Sequence, residues 1–222
     1  MKNNNLVIID YGLGNLFNLK RALDYLGINC IISKDSEEIL SASKLILPGV
    51  GAFGAGMKGL VSNGLIPVLE KYVTTGKPLL GICLGMQLLM ESSEEYGYNR
   101  GLGFVKGEVL SFKSKVDNLI KYKVPQIGWN RLEPANKNKS FWHKTILSDI
   151  GNSNIDQSYM YFIHSFYVKV GDSKDTLANS NYAEQTYCSV LKKDQIYGVQ
   201  FHPELSGELG LKILKAYDKL DK

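Results

Sequence analysis

One cysteine stands between two glycines in Gly81-Ile82-Cys83-Leu84-Gly85, where one pattern of apolar residues gives way to another. Leu79–Ile82 reads as a buried strand, and Met86, Gln87, Leu88, Leu89 and Met90 read as the opening of a helix. Gly-x-nucleophile-x-Gly spacing describes a sharp strand-to-helix turn, in which a β-carbon at either glycine would collide with neighbouring backbone. Sulfur at a helix N-terminus is favoured as the thiolate, and the free N–H groups there can hold an oxyanion. A cysteine on an apolar strand is ordinarily core packing. The paired glycines at the junction are what point to a covalent nucleophile.

Such a nucleophile needs a base, and the chain has three histidines. His202 lies in Gln200-Phe201-His202-Pro203-Glu204, directly after a strand-like run. Pro203 stops that strand. Glu204, two residues along, can reach back to the imidazole, orient it and stabilise its protonated form. His143 lies in a polar, lysine-rich stretch, which predicts an exposed side chain. His164 is flanked by aromatics in Tyr161-Phe162-Ile163-His164-Ser165-Phe166, which predicts a hydrogen-bonded core histidine. A strand-terminal His-Pro-Glu is ambiguous by itself; beside the Cys83 turn it completes a Cys-His-Glu set. Pro48-Gly49-Val50-Gly51 is the third feature. Glycines after an apolar strand let backbone approach a ligand and turn an N–H toward developing negative charge.

The elements that must position these residues follow from periodicity. Leu6–Ile9 is a compact β-like run broken by Asp10-Tyr11-Gly12-Leu13-Gly14. Asn15 then caps an amphipathic helix bearing Leu16, Leu19, Ala22, Leu23 and Leu26, closed by Gly27. Residues 30–32 and 45–47 read as strands, and residues 66–74 as a helix before the Cys83 strand. Alternating β and α segments with strands apolar throughout predict a parallel sheet covered on both faces. From Gly107 onward the runs become strand-like and turn-rich, at residues 109–112, 159–170, 187–191 and 196–201. A final helix is expected over residues 209–220. Residues 136–154 are polar and predicted to loop, with Phe141 and Trp142 as an anchor. One α/β domain spanning residues 1–222, with an antiparallel extension, accounts for the whole pattern.

Composition narrows the function classes. With 222 residues, 44% of them hydrophobic, the chain can bury a full-sized core. The net charge of +4 comes from scattered basic residues rather than a concentrated stripe, so nucleic-acid binding is not expected. Three cysteines, at positions 30, 83 and 188, are an odd number without metal-type spacing. They predict neither a disulfide scaffold nor a metal site, and fit a reducing cytosol. No apolar run resembles a signal peptide or reaches membrane-spanning length, so a cytoplasmic protein without membrane association is expected.

Six motifs carry a resemblance over nearly the whole chain. They are Asp10-Tyr11-Gly12-Leu13-Gly14-Asn15-Leu16, Pro48-Gly49-Val50-Gly51-Ala52-Phe53, Gly81-Ile82-Cys83-Leu84-Gly85-Met86-Gln87, Gly128-Trp129-Asn130, Tyr161-Phe162-Ile163-His164-Ser165-Phe166-Tyr167 and Gly198-Val199-Gln200-Phe201-His202-Pro203-Glu204. In this order they resemble the class I, triad-type glutamine amidotransferases. The first and fourth are most similar to those of the glutaminase subunits of imidazole glycerol phosphate synthases.

The resemblance implies the class I glutamine amidotransferase fold, a mostly parallel central sheet flanked by helices with an antiparallel extension. It implies that Cys83 attacks the side-chain amide of L-glutamine, with His202 and Glu204 as partners. The oxyanion hole would come from Leu84 and from Gly49, Val50 and Gly51. Gln87, Ser165 and Phe166 would line the glutamine site, and Glu94 or Glu95 would bind its amino group. No cofactor is implied. Ammonia would pass to a (β/α)8-barrel cyclase subunit in a heterodimer serving histidine biosynthesis, and the oxyanion segment would be organised only once that partner binds with its ligand.

Two positions depart from the family pattern. Leu205 follows His-Pro-Glu where lysine is usual, and Gln126 stands where histidine is usual; both are expected at the partner face or the ammonia path. Two other readings follow: a paralogous subunit feeding amination of nucleotide-linked or cell-surface sugars, and a catalytically quiet binding or regulatory subunit. The intact Cys83, His202 and Glu204 argue against the second of these.

Overall fold

The structure, a computed structural model, describes residues 5–112, 122–136, 142–151 and 158–220. All four residues of β1 (Leu6–Ile9) are buried, and they divide between two cores. Leu6 and Ile8 join one apolar cluster with Leu19 and Leu23, while Val7 and Ile9 join another with Leu60, Leu69 and Tyr72. Alternation of side chains along a strand sends every second residue to the opposite face. An all-apolar strand therefore requires cover on both sides, and helices supply it.

The first half alternates as its periodicity predicts. After β1 come α1 (Leu16–Tyr25), β2 (Cys30–Ser33), α2 (Ser36–Ser41), β3 (Lys44–Leu47), α3 (Phe53–Ser62), α4 (Leu65–Val73), β4 (Leu79–Ile82) and α5 (Leu84–Leu88). Asn15 caps α1 by accepting from the Asn18 N–H at 3.2 Å. Two of these helices leave no clear periodic signal. One is α2, a short helix that Asp35 caps by accepting from the N–H groups of Glu37 and Glu38. The other is α3, whose sequence Phe-Gly-Ala-Gly-Met-Lys-Gly is poor in intrinsic helix formers. Its glycines serve contact instead: a β-carbon at Gly59 would press on the Tyr11 carbonyl oxygen at 2.6 Å.

The second half supplies β5 (Ser92–Ser93), β6 (Asn99–Arg100), β7 (Gly107–Ser111), β8 (Gln126–Arg131), β9 (Glu133–Pro134), α6 (Ser148–Gly151), β10 (Tyr159–His164), β11 (Phe166–Val170), β12 (Thr176–Tyr182), β13 (Gln185–Lys193), β14 (Ile196–Val199) and α7 (Gly207–Asp218). Among the described residues, twelve strands form one sheet with the path β2-β1-β3-β4-β14-β13-β11-β7-β5-β6, and β12 and β9 branch from β13. The neighbours β2, β1, β3, β4 and β14 are mutually parallel. From β14 to β7 the pairing is antiparallel, which is the expected extension. No helix among the described residues is long and apolar enough to cross a membrane.

Three expectations are corrected. The single strand expected over residues 159–170 is two, divided at Ser165: β10 pairs with β8 in a separate two-stranded ribbon, while β11 joins the main sheet beside β7. The Ser165 carbonyl accepts from the Phe112 N–H at 3.2 Å, which fixes the crossing point. The last helix begins at Gly207, because Pro203–Leu205 forms a 3-10 turn that leads straight into it. The predicted loop over residues 136–154 contains α6. Trp142 anchors it, buried with its indole N–H donating to the Leu177 carbonyl at 2.8 Å; Phe141 lies outside the described residues.

Packing behind the Cys83 turn is tightest at its glycines. A β-carbon on Gly81 would lie 2.7 Å from the Gly85 carbonyl oxygen, and one on Gly85 would overlap the Leu47 carbonyl oxygen at the end of β3. Overpacking against a side chain is relieved by rotation; against backbone it is not. Gly85→Ala is therefore expected to lower stability by about 3 kcal/mol or more, measured by urea unfolding. An unchanged midpoint would contradict this packing.

Candidate active site

Three adjacent parallel strands, in the spatial order β3, β4, β14, end side by side, with Leu47 opposite Gly81 and Ile82 opposite Val199. The residues that follow those ends are Pro48–Gly51, Cys83 and His202. In open α/β sheets ligands bind beyond the carboxyl ends of the strands. Cys83 thus emerges between the glycine-rich segment on one side and the histidine on the other.

Cys83 has φ +53° and ψ −110°, outside the regions an L-residue favours. Strain of this kind costs on the order of 1–3 kcal/mol and persists only where the surroundings impose it. Here they do: the Cys83 N–H donates to the Val199 carbonyl at 2.8 Å, and Leu84 already opens α5. As the first residue of a helix, Leu84 has an N–H with no acceptor inside that helix. The Cys83 side chain is nearly buried, with its sulfur 3.8 Å from the Ile163 carbonyl oxygen.

His202 is braced from its backbone outward. Its N–H donates to the Tyr161 carbonyl at 3.0 Å, and its carbonyl accepts from the buried Ser206 hydroxyl at 2.6 Å. Nδ1 of the ring lies 2.9 Å from Glu204 Oε1, with both side chains buried. Burial opposes charge on the ring, but hydrogen bonds and charges from Cys83 and Glu204 outweigh it and raise the imidazole to about 10. The arrangement favours imidazolium facing sulfur, a proton donor poised beside a nucleophile.

A cavity of about 440 Å³ opens over the sulfur, lined in part by Cys83, Leu84, His202, Val50, Gly51 and Gln87. Glu95, Ser165 and Phe166 complete the set of sequence-predicted residues that meet there. Gly49 and Glu204 line a smaller adjoining space with Val50 and His202. Glycine is required at position 49, because a β-carbon would overlap the Tyr11 hydroxyl, which itself donates to the Pro48 carbonyl at 2.8 Å. Tyr11 therefore pins the segment from beneath, a partnership across the fold that local sequence did not reveal.

The two glutamates separate. Glu95 reaches the cavity wall, where its carboxylate accepts from the Phe53 N–H and so caps α3 in place of the apolar Ala52. Glu94 is not brought to the cavity; its carboxylate accepts from the Ser111 N–H at 2.6 Å on the antiparallel side. His143 is exposed and His164 is buried, as their flanking residues predict. His164 also lines the cavity, which the sequence did not signal. Leu205 sits at the cavity mouth, 37% exposed. Gln126, expected at the partner face or the ammonia path, is buried and accepts from the Tyr187 hydroxyl at 2.9 Å. Inward residues alternate with outward ones along β8, and position 126 falls on the inward side.

Both buried histidines link stability to pH, with opposite signs. Burial pushes His164 down to about 4, against an ordinary 6.5, despite its Nδ1 donating to the Phe166 carbonyl. Its share of stability is therefore present above pH 6.5 and lost as pH falls toward 4, at most about 3 kcal/mol. The raised His202 contributes stability that is present below pH 6.5 and lost as pH rises toward 10. Urea unfolding across pH is expected to show both limbs. His164→Gln should flatten the acid limb alone, and Cys83→Ser should weaken the alkaline one. A His164→Gln variant with an unaltered acid limb would contradict the assignment.

The profile of the family Glutamine amidotransferase class-I matches residues 7–216. Imidazole glycerol phosphate synthase subunit HisH 1 of Legionella pneumophila (strain Lens) is 43% identical over 212 residues, covering 95% of this chain and 96% of that protein. Imidazole glycerol phosphate synthase subunit HisH 2 of Methanococcus maripaludis is 46% identical, covering 96% and 98%. Among solved structures, PurLQS from Thermotoga maritima aligns with a TM-score of 0.66 at 19% identity, covering 98% of each chain, a likeness of fold. The chain belongs to the class-I glutamine amidotransferase family and, within it, groups with the HisH subunits of imidazole glycerol phosphate synthases.

Proposed function

We propose that this chain is the glutaminase subunit of an imidazole glycerol phosphate synthase, releasing ammonia from L-glutamine through Cys83, His202 and Glu204. The observation that carries the reading is a cysteine held at positive φ over a cavity that His202 also lines, with His202 buried against Glu204. Charge development then follows from the geometry. The Cys83 thiolate attacks the side-chain amide carbon, and the carbonyl oxygen becomes an oxyanion. The Leu84 N–H and the Gly49-Val50-Gly51 segment are assigned to hold it. Imidazolium at His202 gives its proton to the amide nitrogen, so the C–N bond breaks and ammonia leaves a γ-glutamyl thioester. Neutral His202 next takes a proton from water as that water attacks the thioester. Collapse of the second intermediate expels the thiolate and yields glutamate, restoring the starting charges. Glu204 keeps the ring oriented and supports its charge throughout.

Glutamine is assigned to the space bounded by Gln87, Glu95, Ser165 and Phe166. Glu95 is preferred over Glu94 for the amino group, since only Glu95 lines the cavity. Ammonia needs a recipient, and the relatives are named as subunits of a synthase. A (β/α)8-barrel cyclase in the histidine pathway is the proposed partner. The outer face of the β8–β10 ribbon supports docking there, because it exposes Ile127, Trp129, Tyr159 and Ile163 beside the cavity mouth. A second reading keeps the chemistry and changes the recipient to a sugar amidotransferase. Leu205 favours it, since an apolar residue stands at the mouth where the family usually has lysine.

Cys83→Ala in the assembled complex is expected to reduce glutamate formation by at least about 10³-fold; unchanged turnover would sink the catalytic assignment. Expressed with its partner, the chain is expected to co-purify with a barrel cyclase and to hydrolyse glutamine far faster than alone. A sugar-modifying partner in that purification would select the second reading, and equal turnover with and without any partner would refute the proposed partner dependence.

A further inference from the structure

A fully buried carboxamide touches the nucleophile. Gln200 follows the last strand of the parallel set and is 0% exposed. Its Nε2 lies 3.8 Å from Cys83 Sγ, within hydrogen-bonding reach of sulfur. The two ends of a carboxamide are chemically opposite, so the contact means attraction or repulsion according to which end faces the thiolate.

A chain of bonds to backbone settles the orientation. The Phe166 carbonyl is an acceptor with no alternative role. It receives the His164 Nδ1–H at 2.7 Å and the Gln87 Nε2–H at 3.0 Å. Gln87 must therefore present its nitrogen on that side. The same nitrogen lies 3.2 Å from Gln200 Oε1, where only an oxygen can accept. With its oxygen committed to Gln87, Gln200 is left with its NH₂ group toward the sulfur. Reversing it would set two donors against each other and put an oxygen lone pair on a thiolate, both in a water-excluded site where unpaired polar groups are costly.

We propose that Gln200 is a further catalytic residue, whose side-chain amide donates a hydrogen bond to the Cys83 thiolate and holds its charge. The role rests on Cys83 being the nucleophile. It also complements the contact on the other side, where the Ile163 carbonyl oxygen, 3.8 Å from Sγ, can only accept and so offers the anion no donor. His202 stabilises the thiolate before attack. Gln200 remains a donor in every protonation state of His202, so it supports the sulfur again when the thiolate leaves the second tetrahedral intermediate. Gln87 and His164, which touch Gln200 and Phe166 rather than the sulfur, are positioning residues for this donor.

The test is the pH profile of Cys83 alkylation by iodoacetamide in the full chain, read by mass spectrometry, for wild type and Gln200→Met. Methionine keeps length and apolar packing and removes the donor. The variant is expected to react about tenfold more slowly near pH 7, with the difference shrinking as pH rises. A purely structural role would leave the profile's shape unchanged, so superimposable profiles would overturn the proposal. Should Gln200→Met not fold, the side-chain ¹⁵N resonances of Gln200 in wild type give the same answer. They are expected to titrate together with Cys83 reactivity and to stay flat in Cys83→Ser. Resonances in wild type that do not follow Cys83 reactivity would overturn the proposal. Wild-type Cys83 no more reactive than free cysteine would instead remove the nucleophile reading, and the proposal with it.

Discussion

The chain has to change direction between β4 and α5 within a single residue, and that residue is Cys83. Space for the turn exists only because Gly81 and Gly85 carry no side chains where the backbones of β3, β4 and α5 press together. The sulfur consequently lies past the strand ends, where one core meets the cavity. Its neighbours in the sheet decide its company: β3 delivers the Pro48–Gly51 segment and β14 delivers His202 and Glu204. Cys83, Gly81, Gly85 and Gly49, in conformations or contacts that only glycine or a strained cysteine tolerates, thus fix the relation among three separate stretches of chain. The extensive two-sided core around the parallel strands is what sustains that strain.

Placing charge in a nearly buried site is the second constraint. An isolated thiolate, imidazolium or carboxylate would be strongly disfavoured there. Set in line, each offsets its neighbour, and burial then sharpens the interaction by excluding water. The raised His202 and the lowered His164 illustrate how environment divides two identical side chains. One faces a thiol and a carboxylate and holds a proton. The other faces aromatic rings and a carbonyl, stays neutral, and braces the cavity wall.

Much of this was legible in the sequence, where chemistry is encoded by residues close together in the chain. The Cys83 turn and His202-Pro203-Glu204 are local motifs, and the apolar strands announce a covered parallel sheet. What escaped depends on partners far apart in the chain. Neighbouring Glu94 and Glu95 are equivalent as text, and only the fold sends one to α3 and the cavity and the other to β7. The break at Ser165 follows from a bond to Phe112, more than fifty residues earlier. Helix α3 is obscured by glycines that serve close approach at the expense of propensity. That Gln126 is buried against Tyr187 follows from the strand register of β8 and from a partner sixty-one residues away, neither of which is local in the chain.

The most direct measurement is acid-quenched mass spectrometry of the assembled complex during glutamine turnover. The expected result is a γ-glutamyl thioester on the peptide carrying Cys83, removed by hydroxylamine. Turnover with no adduct, or with the adduct on Cys30 or Cys188, would contradict Cys83 as the nucleophile.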